Sequence, residues 1–136
     1  MNRVIRKFLL VAVALLLFIP TFAQLPEKIE AAAAECGFKV SGIEAIEIGE
    51  RLKDLYVEKY RLFIEQPIDH TNPALGTFRQ KVILFHIDYD QPMLLITEGY
   101  TSNGGHPRYS NELSTMFKTN MIEVEHRYFG ESIPFM

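Results

Sequence analysis

The stretch MLLITEGYTSNGGHPRYSNELSTMFKTNMIEVEH, Met93 to His126, decides how the rest of the chain is read. It opens on Met93-Leu94-Leu95-Ile96-Thr97, a short continuous apolar run of the kind that forms a strand inside a parallel sheet. Glu98-Gly99-Tyr100-Thr101-Ser102-Asn103-Gly104-Gly105 breaks it with a glycine-rich loop. Ser110 or a neighbour can cap a helix in which Leu113, Met116 and Phe117 share one face, and Asn120 can end it. From Met121 to His126 the chain is extended again, with Ile122 and Val124 on one side and Glu123 and Glu125 on the other. Strand, helix and strand within about 30 residues is the pattern of a right-handed crossover in an α/β sheet.

Upstream, Tyr60, Leu62 and Ile64 alternate with Arg61, Phe63 and Glu65, which predicts a half-buried strand ending at Gln66-Pro67. Turn formers fill Asp69-His70-Thr71-Asn72-Pro73 through Gly76, with Asp69 and His70 suited to bonding the turn itself. A second strand, Thr77 to Asp88, should pair back on the first as a long hairpin. Its run Val82-Ile83-Leu84-Phe85 puts apolar groups on both faces, so it should be covered on both sides. Pro26 to Cys36 predicts a surface helix with Gly37 as its left-handed cap. Between Phe38 and Leu55, Ile43, Ile46 and Ile48 fit either a strand or an irregular arm. Arg127 to Pro134 reads as a loop.

The chain has 136 residues, a net charge of -3 and 48% apolar residues, which suits one globular domain and argues against disorder. A nucleic-acid partner would want a basic stripe, and the composition offers none. Cys36 stands alone, so an internal disulfide is excluded, and it reads as a small buried or half-buried residue. His70, His86, His106 and His126 are too far apart for metal-ligand spacing, and the reading expects neither metal nor cofactor. At the amino terminus Arg3, Arg6 and Lys7 precede the apolar run Phe8 to Ile19, followed by Pro20 and the small Ala23. About a dozen apolar residues fall short of the roughly 20 that span hydrocarbon. Residues 1–23 therefore read as a signal peptide cut after Ala23, leaving Gln24 first and no stable membrane span. The protein would be exported, to the periplasm or beyond.

Three further segments carry a resemblance. Glu125-His126-Arg127-Tyr128-Phe129-Gly130-Glu131-Ser132-Ile133-Pro134 resembles the H-R-Y-[FY]-G-x-S-x-P stretch of secreted serine exopeptidases related to prolyl carboxypeptidase. It is most similar to their bacterial relatives, the prolyl tri- and tetrapeptidyl aminopeptidases of serine peptidase family thirty-seven. Gln66-Pro67-Ile68-Asp69-His70 with Gly76-Thr77-Phe78-Arg79-Gln80-Lys81, and Thr97-Glu98-Gly99-Tyr100, agree with the same family in the right order. Lys81 departs from it, standing where the family usually shows arginine. The resemblance spans roughly Tyr60 to Pro134.

What it implies is an α/β-hydrolase fold with a Ser-Asp-His triad and a peptide substrate, releasing short proline-ending peptides from free amino termini. The nucleophile would sit on a G-x-S-x-G elbow with its partners following in the chain. No such elbow is present: Gly130-Glu131-Ser132 has Pro134 in place of the second glycine, and His126 precedes where a triad histidine belongs. Nucleophile and triad are accordingly expected beyond Met136, with no catalytic residue inside the chain. The expected fold is thus α/β, the first part of an α/β-hydrolase sheet. Hairpin strands come first, then strand-helix-strand, incomplete before the nucleophile. Residues 24–59 would form a helix and irregular arm, and residues 60–136 the first strands of the hydrolase domain. Gly99 and Tyr100 read either as one edge of an oxyanion loop or as a plain turn. Glu98 reads either as a contact for the substrate amine or as a structural group. Glu125, His126, Arg127, Gly130, Ser132 and Pro134 form a structural motif in which the buried charges must be paired. The competing reading is a small exported binding module without catalysis. No particular oligomeric state follows from the sequence.

Overall fold

The computed structural model of the chain describes residues 24–134. The amino-terminal segment read as a signal peptide, residues 1–23, lies outside the described residues. So does Met136, the position beyond which the triad is expected. Helix α1, Gln24–Glu35, has Pro26 in its first turn and an alanine run behind it, both favourable to helix. Gly37 at φ 76° ends it, with Phe38 N–H donating to Ala33 O at 2.8 Å and Gly37 N–H to Ala34 O at 3.0 Å. Cys36 lies on the surface, neither buried nor half-buried, because it falls in the exposed turn that ends α1 and not in the helix or the sheet.

Five strands follow: β1 Lys39–Ala45, β2 Glu58–Pro67, β3 Thr77–His86, β4 Met93–Glu98 and β5 Asn120–Glu125. They form one mixed sheet in the order β1-β2-β3-β5-β4. β2 and β3 are the expected hairpin, in register from Glu58 opposite His86 to Pro67 opposite Thr77. The segment that fitted either strand or arm is divided: β1 pairs antiparallel with β2, and a short 3-10 turn forms at Glu50–Leu52. The apolar run of β4 predicts a place inside a parallel sheet. The strand is instead parallel only to β5 and stands at the margin of the described sheet, with Met93 and Leu95 exposed.

The period-two pattern sorts side chains onto two faces, each with its own core. Leu25 and Ile29 of α1 cover Tyr60, Leu62, Val82 and Leu84 on one face. On the other, Ile83, Phe85 and Met121 are covered by Leu52 and Tyr56. β3 is therefore enclosed on both sides, as its sequence required. Phe85 is fully buried, with its ring 5.0 Å from Tyr56 and 6.2 Å from Tyr109.

The crossover helix α2, Glu112–Phe117, is capped by Asn111, whose side chain accepts Leu113 N–H at 2.9 Å. It ends at Lys118 in the left-handed conformation, two residues before Asn120. Leu113, Met116 and Phe117 are exposed, and the residue that packs inward is Ser114, bonded to the Tyr56 hydroxyl at 2.6 Å. Asn120 opens β5 instead of closing the helix. Its Oδ1 accepts Ile87 N–H at 2.7 Å, and its Nδ2 donates to Asp88 O and Gln91 O at 2.7 and 2.9 Å. No described helix is long and apolar enough to cross a membrane.

Because Phe85 sits where β3 is closed in from both faces, Phe85→Ala should cost about 3–5 kcal/mol. Urea unfolding followed by far-UV circular dichroism checks this, and a loss below about 1 kcal/mol would contradict such enclosure.

Candidate functional site

β5 alternates as its sequence says, but the acidic side is the more deeply buried one. Glu123 and Glu125 have no exposed surface, whereas Ile122 and Val124 are only half-buried. The reason lies in the neighbouring strands. Glu123 is opposite Ile83 of β3 and Ile96 of β4, on the face that also carries Lys81, Lys59 and Glu98.

Glu125 is fully partnered. Its Oε1 accepts Ser102 N–H at 3.0 Å and lies 2.9 Å from Lys81 Nζ. Its Oε2 accepts Glu131 N–H at 2.9 Å and the Ser132 hydroxyl at 2.8 Å. Burial alone would push this carboxyl up, but Lys81, the two N–H groups and Ser132 outweigh it and hold it below the usual range. Burial would likewise lower Lys81, and its bonds to Glu125 and Glu131 instead raise it. Lys81 thus joins two carboxylates through one ammonium, the second being Glu131 at 3.1 Å.

The rest of the motif is structural in its contacts. Arg127 donates to Ile68 O and Pro67 O at 2.7 and 2.9 Å and lies over the Phe78 ring at 4.5 Å. It does not pair with Glu125; both charges are satisfied separately. Ser132 is fully buried, accepting Lys81 N–H at 2.9 Å while donating to Glu125. Gly130, at φ 50°, lies so close to Glu125 that a Cβ there would overlap the carboxylate. Pro134 is buried, and His126 is exposed with Nδ1 2.7 Å from Arg127 O. Asp69 turns its carboxylate onto Thr71 N–H and hydroxyl at 2.8 and 2.7 Å.

The glycine loop is held from beneath. Glu123 Oε1 accepts the Ser102 hydroxyl and Gly104 N–H, the latter at 2.7 Å, and a Cβ on Gly104 would approach that oxygen to 2.8 Å. Its Oε2 has no hydrogen-bond partner among the described residues. Lys59, nearly fully buried, donates to His106 O at 2.9 Å. Burial, only partly offset by Glu123, pushes its ammonium down to about 8. Glu98 is half-buried and accepts the Tyr109 hydroxyl at 3.2 Å. Burial and the carboxylates of Glu123 and Glu98 push that phenol well up. Gly99 and Tyr100 are exposed at the end of β4, and the Tyr100 ring meets Phe129 edge-on at 5.0 Å.

Sequence reasoning brought Glu125, Ser132 and Arg127 into one motif but missed Lys81, Ser102, Glu123, Lys59 and Tyr109 as its neighbours. Two acidic residues on one side of a sheet strand were the available signal, since buried charges require such partners.

Sequences similar to this one include an aminopeptidase and two serine proteases. A prolyl tri/tetrapeptidyl aminopeptidase of Streptomyces mobaraensis is 38% identical over 69 residues, covering 51% of this chain and 14% of its own. A probable serine protease, EDA2, of Arabidopsis thaliana is 35% identical over 86 residues, covering 59% and 17%. The serine protease vicPb of Bipolaris victoriae is 37% identical over 86 residues, covering 52% and 15%. The chain belongs to the PS-10 peptidase S37 family, whose sequence model matches residues 23–136. The matched segments make up 14% to 17% of the length of these relatives.

Glu125 stays ionised below its usual range, so its contribution is complete above about pH 4.3 and lost as pH falls through its folded value. Glu125→Gln should cost about 3–5 kcal/mol at pH 7, leaving Lys81 short of a partner, and should flatten the loss of stability as pH falls from 7 to below about 4.3. Urea midpoints across that range test both. Gly130→Ala, which adds strain at positive φ to overlap with Glu125, should lower stability at pH 7 as well, by about 1–3 kcal/mol.

Proposed function

We propose that this chain is the amino-terminal segment of an exported serine aminopeptidase that releases short proline-ending peptides from free amino termini. The observation that carries the reading is the family match, joined to an aminopeptidase relative. Export is supported by Arg3, Arg6 and Lys7 ahead of the apolar run Phe8 to Ile19, with the cut after Ala23. Residues 24–59 supply the amino-terminal helix and the edge strand β1, and residues 60–136 belong to the first strands of an α/β-hydrolase domain. The order β2-β3-β5-β4, with two antiparallel pairs and then a parallel one, supports that assignment. So does the glycine loop leaving β4 for a crossover to β5.

In this reading the catalytic triad lies beyond Met136. Ser132 is unsuited to nucleophilic work: it is buried, both roles of its hydroxyl are taken, and neither partner is a histidine. The chain alone is accordingly inactive. Gly99 and Tyr100 form one edge of the carbonyl site, where a backbone N–H can meet the developing oxyanion. An extended three-residue peptide spans roughly 10 Å, so consecutive residues such as Glu98 and Gly99 do not serve both of its ends. With Gly99 at the carbonyl, the Glu98 carboxylate keeps its Tyr109 partner and the substrate ammonium is met elsewhere.

The full-length gene product should be labelled at serine by a fluorophosphonate, and Ser132→Ala should leave that labelling in place. Labelling that vanishes with Ser132→Ala, in a protein that still folds, would put the nucleophile at this position and refute the reading. Glu98→Gln should leave the KM of a tripeptide substrate within about twofold. A rise of roughly tenfold or more, the loss of a charge-assisted bond, would give this loop the amine end instead.

A further inference from the structure

With the cut after Ala23, the mature chain begins Gln24-Leu25-Pro26-Glu27. A free amine followed by three residues, the third a proline, is the kind of terminus on which the proposed peptidase acts. The fold keeps this one from being extended along a cleft. Gln24 opens helix α1, and three residues of α-helix rise about 4.5 Å, against roughly 10 Å for three extended ones. Leu25, 7% exposed, sits in the core cluster with Tyr60, Leu62, Val82 and Leu84. Ile29, one turn on and on the same helix face, packs against that cluster. Lys28 lies over the Tyr89 ring at 3.8 Å, which ties the same turn to the β3–β4 connection. Glu27 is exposed, so the Pro26–Glu27 bond is not withheld by coverage. It is withheld by helical backbone and by the anchored Leu25 side chain.

We propose that this terminus is a substrate of the enzyme itself, cut between Pro26 and Glu27 when α1 lifts off the sheet and spared while α1 is docked. The inference rests on the aminopeptidase reading and on the cut after Ala23. In the step, water adds at the Pro26 carbonyl carbon and the bond to the Glu27 nitrogen breaks. Gln-Leu-Pro leaves with a new carboxylate, and Glu27 becomes the new amino terminus. A helix of 12 residues is marginal by itself, so α1 owes its form to Leu25, Ile29 and Lys28. Such a terminal element opens locally while the rest stays folded, and cleavage then follows the population of the open form. Pro26 has two roles: its fixed φ suits the first helical turn, and it is the residue required before the cleaved bond. Trimming removes Leu25 and with it one of the two apolar anchors of α1, so the released helix does not dock as before.

Intact mass of the full-length mature gene product reads this trimming directly. Every protein and peptide carries Gln24→Ser, because an amino-terminal glutamine cyclises and hides its amine. A synthetic peptide of residues 24–35, too short to hold a helix in water, should lose its tripeptide at least about tenfold faster than the folded protein in the same incubation. Ile29→Ala keeps helix propensity but removes a packed side chain, and should speed the loss from the protein about tenfold. Its turnover of Ala-Ala-Pro coupled to a chromogenic amine should be unchanged. Adding Pro26→Ala should slow the loss again. In a preparation that turns over Ala-Ala-Pro, an uncut peptide would overturn the proposal. So would a folded protein trimmed as fast as the peptide, or Ile29→Ala trimmed no faster than its parent. A protein with no such turnover would overturn the aminopeptidase reading, and a mature terminus away from residue 24 the assigned cut; the proposal falls with either.

Discussion

A carboxylate with no exposed surface needs its hydration replaced, and Glu125 has it replaced by four groups, two on each oxygen. These come from three separate pieces of chain: Lys81 from β3, Ser102 from the glycine loop, and Glu131 with Ser132 from the turn after β5. Satisfying one acid therefore fixes the mutual position of three segments. Burying the Lys81 pair brings little net stability, since desolvation consumes most of the attraction. Its effect is geometric. Glu123, two residues earlier on the same face, extends the polar floor to Gly104 but leaves one oxygen without a partner among the described residues. The same face becomes apolar at its other end, around Phe85 and Met121.

The motifs by which the family is recognised make physical sense in this setting. Gln66 to His70, Gly76 to Lys81, Thr97 to Tyr100 and Glu125 to Pro134 are far apart in the chain. β2 is antiparallel to β3, β3 to β5, and β5 is parallel to β4. It follows that the end of β2, the start of β3 and the ends of β4 and β5 all lie at one margin of the sheet. Arg127 can reach Pro67 and Ile68 for that reason, and Gln80 can donate to Glu125 O at 3.0 Å. None of these contacts is chemistry on a substrate. They hold the ground on which loops carrying Gly99, Tyr100 and Phe129 are set.

Local patterns were legible and non-local ones were not. Alternation in β2 and the unbroken apolar run in β3 identified a hairpin and its two-sided burial, because strand periodicity is written residue by residue. The strand-helix-strand unit was equally plain. Insertion of β5 between β3 and β4 was not, since no residue encodes its neighbour's neighbour. Hydropathy also misplaces the inside of β5: Glu123 and Glu125 face inward because Lys81, Lys59 and loop N–H groups converge there from elsewhere. α2 fails in the opposite sense. Leu113, Met116 and Phe117 do share a face, yet Ser114 is the side chain that Tyr56 draws inward. The motif containing Ser132 was assigned to structure on family resemblance, and its hydrogen bonds supply a physical reason for that role.

β5 is short, and both of its ends are pinned by a side chain of its own. At the start, Asn120 uses its amide to bind the turn joining β3 to β4 on both sides of Asp88. At the finish, Glu125 binds the glycine loop and the following turn. A strand paired on both edges and anchored at both termini has neither register nor tilt left to vary. The loops beyond Glu98 and Glu125 then inherit a fixed separation, which is what allows Tyr100 and Phe129 to meet although neither is packed into a core. Rigidity at this margin comes from buried polar groups two or three residues away, while the Tyr100 ring above them stays exposed.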